Sequence, residues 1–322
     1  MKVSVLLPTY NRGYIIGEAL ESIFAQTFSD FEIVVVDDGS SDATSQVVQG
    51  FPDPRLRYIC HEKNAGYGAA MNSGFSAARY ELISILDSDD LWKPEKLQCE
   101  VEFLQRHPEV DALFSDLEKY DGKVHVSSFM RQTAVFSRRL VDGPFPGGIL
   151  ISPREMYLYL LQEVPIKMPA FTLRREALTK VGNFDESWPS GNDWDFLLRL
   201  SKFARFGYID RPLAVIRVQD DATHRIHVVR DHMLLLDLLR REREGLGEDS
   251  EARAAVRRGI TNLTKHLAWH YLGSGQRSEA ARTFIQGFAE TGDWGLLPRA
   301  VGAYFPMGIR SWTKRLLGRQ GS

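Results

Sequence analysis

Short, mostly apolar runs alternate with amphipathic stretches through the first third of the chain. Residues 3–7, 31–36, 56–60 and 82–86 are each five or six residues long and rich in Val, Ile and Leu. Residues 3–7 and 82–86 have the pattern of buried strands, 31–36 and 56–60 read as further strands, and Pro8 is expected to stop the first of them. Between the strands, residues 14–28 repeat at helical spacing, with Ile15, Ile16, Ala19, Leu20, Ile23 and Phe24 on one face. A second helix is expected over 43–49. Asn64-Ala65-Gly66-Tyr67-Gly68 opens a third, lined with the small residues Ala69, Ala70, Gly74, Ala77 and Ala78. Strands alternating with helices predict an α/β fold with a doubly wound, mostly parallel sheet.

Residues 111–115 form a further candidate strand. From 118 to 165 the pattern loosens into turns (Asp121-Gly122, Asp142-Gly143-Pro144), with one short helix over 153–162. Long irregular stretches inside a domain are usually lids, binding loops or mobile segments. A helix opens at Asn192-Asp193-Trp194, and residues 208–218 read as a closing strand. Helices over 226–245, 252–271 and 278–291 follow. The turn at 272–284 is like that of a tetratricopeptide hairpin, but one hairpin is not an array. The expected organisation is a domain over 1–224, with a nucleotide-binding half at 1–116 and an acceptor half at 117–224, then a helical extension over 225–322.

Polar clusters fall at the carboxyl ends of three strands, where such sheets place their ligands. They are Thr9-Tyr10-Asn11, Asp37-Asp38 and Asp87-Ser88-Asp89-Asp90. In the last, three carboxylates share four positions and repel unless a cation joins them; Mg²⁺ or Mn²⁺, which keeps phosphate and water ligands, suits such a site. An acidic turn capping the helix from Pro94 would give the same letters, and Asp90 is the acid assigned to that cap. Asp193, at a helix start, could likewise be a cap. Asn64-Ala65-Gly66-Tyr67-Gly68 is not the G-x-G-x-x-G of a dinucleotide site, which argues against a dehydrogenase.

Composition narrows the class without choosing within it. A net charge of −2 argues against a nucleic-acid partner. Cys60 and Cys99 supply no disulfide framework and are expected to be reduced and buried. No segment resembles a signal peptide or a membrane span, so a cytoplasmic chain is expected, peripheral at the membrane's inner face at most. After Asp293 the tail carries Arg299, Arg310, Lys314, Arg315 and Arg319 with no acid, interleaved with Trp294, Tyr304, Phe305 and Trp312. That suits either contact with an anionic membrane or a docked terminal helix.

Taken together and in order, these segments resemble the family-2 glycosyltransferases with the GT-A fold, over residues 1 to about 223. The resemblance rests on Val5-Leu6-Leu7-Pro8-Thr9-Tyr10-Asn11-Arg12, Val36-Asp37-Asp38-Gly39-Ser40, Asn64-Ala65-Gly66, Leu86-Asp87-Ser88-Asp89-Asp90, and Val181 to Glu186 followed by Asn192-Asp193-Trp194-Asp195. It implies a metal-dependent, inverting transfer from a nucleotide-diphosphate sugar, a UDP-sugar favoured, to a hydroxyl of a saccharide or lipid-linked acceptor. Bacterial cell-surface polysaccharide or glycoconjugate synthesis would be the setting. Pro8, Thr9, Tyr10 and Asn11 would line the nucleotide, and Asp37 and Asp38 would accept from uracil and ribose. Asn64 and Gly66 would form the loop beside the sugar nucleotide, Asp87 and Ser88 would face the ribose side, Asp89 would hold Mn²⁺ or Mg²⁺, and Asp193 would be the general base.

Three positions depart from the family pattern. Asn192 replaces a usual Glu, with Asp195 a candidate to restore the charge. Met71 stands where an Arg often precedes Asn72. Gln219 takes the place of a frequent His, leaving His224 as a weaker metal-ligand candidate. A sugar nucleotidyltransferase is the first alternative, although Pro8-Thr9-Tyr10-Asn11 is not a basic, Gly-rich phosphate loop. A catalytically silent nucleotide-sugar scaffold is the second.

Overall fold

The computed structural model describes residues 1–122, 125–218 and 222–304. Two compact units make up the chain, Met1–Asp220 and Asp221–Ser322. The first alternates β1 (Val3–Thr9), α1 (Ile16–Phe24), β2 (Phe31–Asp37), α2 (Thr44–Gln49), β3 (Leu56–Cys60), α3 (Tyr67–Ala77) and β4 (Leu82–Ile85). It continues through β5 (Leu91–Trp92), α4 (Lys96–Arg106), β6 (Ala112–Tyr120), β7 (His125–Val126), β8 (Ile149–Ile151), α5 (Pro153–Leu160), β9 (Phe171–Arg174), α6 (Arg175–Val181), α7 (Asn192–Ser201) and β10 (Phe206–Arg217).

One mixed sheet carries the unit, in the order β3-β2-β1-β4-β9-β6-β10-β5. The β3-β2-β1-β4 half is parallel throughout, and β6 and β10 are parallel to each other. Between the halves lies β9, antiparallel to both neighbours. Apolar periodicity marks residues as strand but carries no direction, so this insertion was not legible beforehand.

Burial follows the alternation along β1. Val3, Val5 and Leu7 join Ile16, Leu20, Leu97 and Leu104 in one core, which α1 and α4 cover. Leu6 points to the opposite face, towards Gly74 of α3. Pro8 does not stop β1, which runs on to Thr9. The pairing of β1 with β4 ends at Leu6↔Ile85, and Leu6 O accepts from Leu86 N–H. The amide proton that Pro8 lacks would have faced that side, beyond the end of β4, so its loss breaks no ladder bond.

The stretch from 118 to 165 has only the short ladders of β7 with β6 and β8 with β10, and three carboxylates hold the rest. Asp116 accepts from Ser128 Oγ and Met130 N–H. Glu163 accepts from the amides of Ala134, Val135 and Phe136 at 2.7–2.9 Å. Asp210 accepts from Arg131 and from Phe145 N–H. Each carboxylate takes backbone donors that would otherwise be unpaired.

Two further expectations are corrected. Cys60 is exposed and Cys99 half-buried, because β3 is the open edge of the sheet and Cys99 meets Arg211 at 3.2 Å. Asp90 does not cap α4: the residue preceding that helix is Glu95, and the two-residue strand β5 intervenes.

The second unit comprises α8 (Ala222–Gly245), α9 (Ser250–Gly273), α10 (Arg277–Thr291) and α11 (Leu297–Ala303). Ala268, Ala280, Ala281, Phe284 and Leu296 form its small core. Gln219, the side chain of His224 and the basic tail residues Arg310, Lys314, Arg315 and Arg319 lie outside the described residues. Among the described residues no helix is long and apolar enough to cross a membrane.

Candidate active site

The carboxyl ends of β1, β2 and β4 meet on one rim. Asn11 has φ +51°, a left-handed conformation that Asn tolerates better than most residues. Its N–H donates to Ser40 Oγ and its Oδ1 accepts from Ser41 N–H, tying the loop after β1 to the loop after β2. Pro8 and Thr9 are buried in β1 and Tyr10 is exposed beyond it. Thr9 Oγ1 is buried without a hydrogen-bond partner among the described residues.

The two acids at the end of β2 are both buried. Asp37 accepts from Ser40 N–H at 2.8 Å and from the Tyr58 hydroxyl. Asp38 accepts from the amides of Ala65 and Gly66 at 2.9 and 2.7 Å, and from His61 Nδ1 at 2.7 Å. The resemblance gives these acids to the nucleoside; in the structure their partners are the protein's own loops. Gly39, at φ +77°, passes so close that a Cβ there would lie 2.7 Å from Lys63 C and 2.8 Å from Asn64 N. Asp38 and Gly39 thus fix the loop of Asn64 and Gly66 over the end of β2. Gly66, at φ +95°, turns that loop into α3.

His61 extends the network, its Nε2 lying 2.8 Å from Ser73 Oγ. Because the Asp38 carboxylate only accepts, Nδ1 donates to it. The order Ser-His-Asp is that of a hydrolytic triad, but Ser73 lies within α3, where its amide serves the helix and cannot stabilise an oxyanion. The network reads as a brace for the loop.

After β4, Asp87 is half-buried and accepts from the Tyr67 hydroxyl at 3.1 Å. Burial, reinforced by the charges of Asp89 and Asp193, raises its pKa to about 7. Burial likewise raises Asp90 to about 8, with Asp87 and Asp89 adding repulsion. Asp90 Oδ1 accepts from Arg217 N–H at 2.9 Å, and Arg217 Nε donates to Asp89 O. Asp89 is partly exposed, 3.5 Å from Arg12. A pair this open is a weak tie, on the order of 1 kcal/mol or less. Ser88 is buried in the same turn.

Asp193 lies in the first turn of α7. Burial raises the Tyr67 hydroxyl well above its usual range, and the charges of Asp87, Asp193 and Asp89 push it the same way. Asp87 touches this phenol, and Asp89 and Asp193 lie within electrostatic reach of it. Asn72 makes this approach possible. Its side-chain amide donates to Phe184 O and Glu186 Oε1, and its Oδ1 accepts from Phe184 N–H. Phe184 stacks on Phe196 of α7 at 4.6 Å. Gly68 completes the contact, since a Cβ there would lie 2.8 Å from Asn192 Nδ2. Asp195 does not restore charge beside Asp193: it pairs with Arg199 at 2.8 Å, and Arg199 also holds the carbonyls of Val181 and Asn183.

Reading the sequence had missed Asn72, His61, Arg12 and Arg217 as parts of this site. The partners they meet in the site are 12 to 128 residues away.

Comparison with known proteins gives the family and the fold. The profile of Glycosyl transferase family 2 matches residues 4–182, over half of the 322 residues. The chain belongs to that family. An uncharacterized glycosyltransferase of Rickettsia felis is 32% identical over 223 residues, 67% of this chain and 33% of that protein. The chain thus spans about a third of that relative's length. The succinoglycan biosynthesis protein ExoO of Rhizobium meliloti is 44% identical over 100 residues, 31% of this chain and 29% of that protein. Two solved structures share the GT-A fold. S. aureus TarS 1-349 in complex with UDP-GlcNAc has a TM-score of 0.59 at 20% identity, covering 94% of this chain and 91% of that one. The mannosyltransferase PcManGT of Pyrobaculum calidifontis, in complex with GDP-Man and Mn²⁺, has a TM-score of 0.58 at 21% identity, covering 97% and 83%.

Proposed function

We propose that this chain transfers a sugar from a nucleotide-diphosphate donor, a UDP-sugar foremost, to an acceptor hydroxyl with inversion at the anomeric carbon. The observation that supports it most is the convergence of Asp87, Asp89 and Asp193 around Tyr67 at the rim where the strands end. The donor's nucleoside lies along Thr9, Tyr10 and Asn11, with the unpartnered Thr9 Oγ1 facing it. The loop of Asn64 and Gly66, braced by Asp38, borders the sugar nucleotide, and Asp87 and Ser88 take the ribose side. Asp193 accepts the proton of the acceptor hydroxyl as that oxygen bonds to the anomeric carbon. The bond from that carbon to the diphosphate breaks, and its electron pair leaves with the nucleotide.

The acid turn fits a hard divalent cation. Burial pushes Asp87 and Asp90 up to about 7 and 8, the neighbouring carboxylates add repulsion, and a cation here would relieve both. A cation at this turn would draw its remaining ligands from diphosphate and water. Asp89, with Asp87 behind it, would hold Mn²⁺ or Mg²⁺, which would neutralise charge on the departing diphosphate. Named neighbours bind UDP-GlcNAc or GDP-Man, the latter with Mn²⁺, and the succinoglycan relative supports a saccharide acceptor.

A thermal-shift panel of nucleotide sugars, with and without Mn²⁺, tests the reading. Ligand at about 100 times its Kd stabilises the folded chain by about 2.7 kcal/mol, and Mn²⁺ should be needed for the full shift. No shift with any nucleotide sugar would overturn the proposal.

A further inference from the structure

Lys119, at the carboxyl end of β6, and Lys167, before the turn Met168–Ala170, both lie against the ring of Phe129. Their Nζ atoms are 4.1 and 5.8 Å from its centroid. Both lysines are half-buried. Among the described residues neither forms an ion pair with an acid. The neighbouring Glu118 is already engaged by Lys93 at 2.9 Å and His125 at 3.1 Å. Burial lowers the Lys119 ammonium, and the charge of Lys167 lowers it further; no acid opposes them.

A ring face attracts a cation, but one ring does not account for two ammonium groups held close together and partly dry. Like charges in such a place await an anion. Their position adds the direction. Lys119 pairs in register with Ile216, one residue before the Arg217 that holds Asp89 and Asp90. The turn after Lys167 packs against β4, β6 and β10, and its Pro169 O accepts from Trp92 Nε1 at 2.7 Å. The lysines therefore stand on the rim that carries the acid turn, towards the acceptor half.

We infer that Lys119 and Lys167 form a subsite for a phosphate group on the acceptor. Two ammonium point charges approaching from different directions suit a tetrahedral phosphate; a planar carboxylate favours the bidentate fork of arginine. Assignment to the acceptor rests on the glycosyl-transfer reading, whereas the phosphate contact stands without it.

Lysine footprinting of the full chain, in chelator so that no metal bridges phosphate to the acid turn, tests the contact. Acetylation rates at each lysine are read by mass spectrometry with glycerol phosphate, with glucuronate at equal ionic strength, or with sodium chloride alone. Glycerol phosphate is expected to slow labelling of Lys119 and Lys167 at least fivefold and to leave the exposed Lys180 unchanged. Glucuronate should protect the pair less. In Lys119→Gln the protection of Lys167 should fall below twofold. Equal protection of Lys180, or no protection of the pair, would overturn the subsite, and stronger protection by glucuronate would overturn its phosphate chemistry. Because the readout is binding without donor or metal, a failure here is distinct from a failure of glycosyl transfer.

Discussion

Asp193 and Asp89 are both acids in motif segments, but their surroundings give them different work. Asp193 is half-buried in the first turn of α7, where its Oδ1 accepts from Trp194 N–H at 2.9 Å. That bond goes to the next residue's amide and is not a cap: the residue preceding α7 is Gly191, and no side chain caps the helix. Asp193→Asn should lower transfer about 10²- to 10⁴-fold, the range of a general base, with nucleotide-sugar binding changed less than twofold. Asp89→Ala should remove the Mn²⁺-dependent part of UDP binding as well as transfer. Calorimetric titration of UDP beside a transfer assay separates the two, and wild-type turnover by Asp193→Asn would remove it from the base role. The sequence ranked the candidate acids but not their neighbours. Asp90 looked like a cap because the letters around it suit one; its partner, Arg217, is 127 residues away.

At the scale of elements, the β4–β9 junction carries an arrangement that no motif announces. Lys96 of α4 is fully buried, its Nζ 3.0 Å from Ser84 Oγ and 2.7 Å from Glu100 Oε1. Thr172 of β9 lies 2.7 Å from the same Ser84 oxygen and 2.9 Å from Glu100 Oε2. The cluster ties helix, parallel strand and antiparallel strand together, with Nζ also 4.2 Å from the Trp92 ring. Removing one member leaves a buried charge unpaired, so Lys96→Met should cost about 3–5 kcal/mol. The double change with Glu100→Leu should recover most of it, since desolvation of the pair offsets much of its attraction. Urea unfolding of the two variants checks this; a double variant no more stable than Lys96→Met would disprove the pairing account. In the sequence, Lys96 and Glu100 are an ordinary surface-type helical pair at i,i+4. What buries them is β9, whose insertion between β4 and β6 depends on contacts far along the chain.

Across the whole molecule, each unit contributes its own pH dependence. In the helical unit, Glu290 is met by Arg240 at 2.8 Å and Arg243 at 3.1 Å. Burial alone would raise its pKa, but the hydrogen bonds and charges of the two arginines outweigh burial and lower it. A folded value below the unfolded one, about 4.3, stabilises the unit above that pH, and the contribution is lost as pH falls through the folded value. Glu290→Gln should therefore lower the unfolding midpoint at pH 7 and have a smaller effect at pH 3. Thermal unfolding by circular dichroism at both pH values measures the difference; an equal effect at both would show that the charge is not the cause.

Several features were fixed by the sequence alone, because their physical causes are local. Apolar runs about five residues long become strands, and those at β1, β2 and β4 are buried along their whole length, while β3 at the sheet edge is only half-buried. Acids at their ends must lie at the carboxyl rim once the strands are parallel, and the glycines at 39 and 66 mark turns that other residues resist. The strand–helix alternation and the family motifs follow from such short-range constraints. Only the tertiary structure decided the rest, because those features depend on partners distant in sequence. They include the direction of β9, the clasp of Asn72 on Phe184, Asp38 serving the loop of Asn64 and Gly66, and Arg217 holding the acid turn. A carboxylate's chemistry is written in its own letter, while its charge state and role depend on what folding brings beside it.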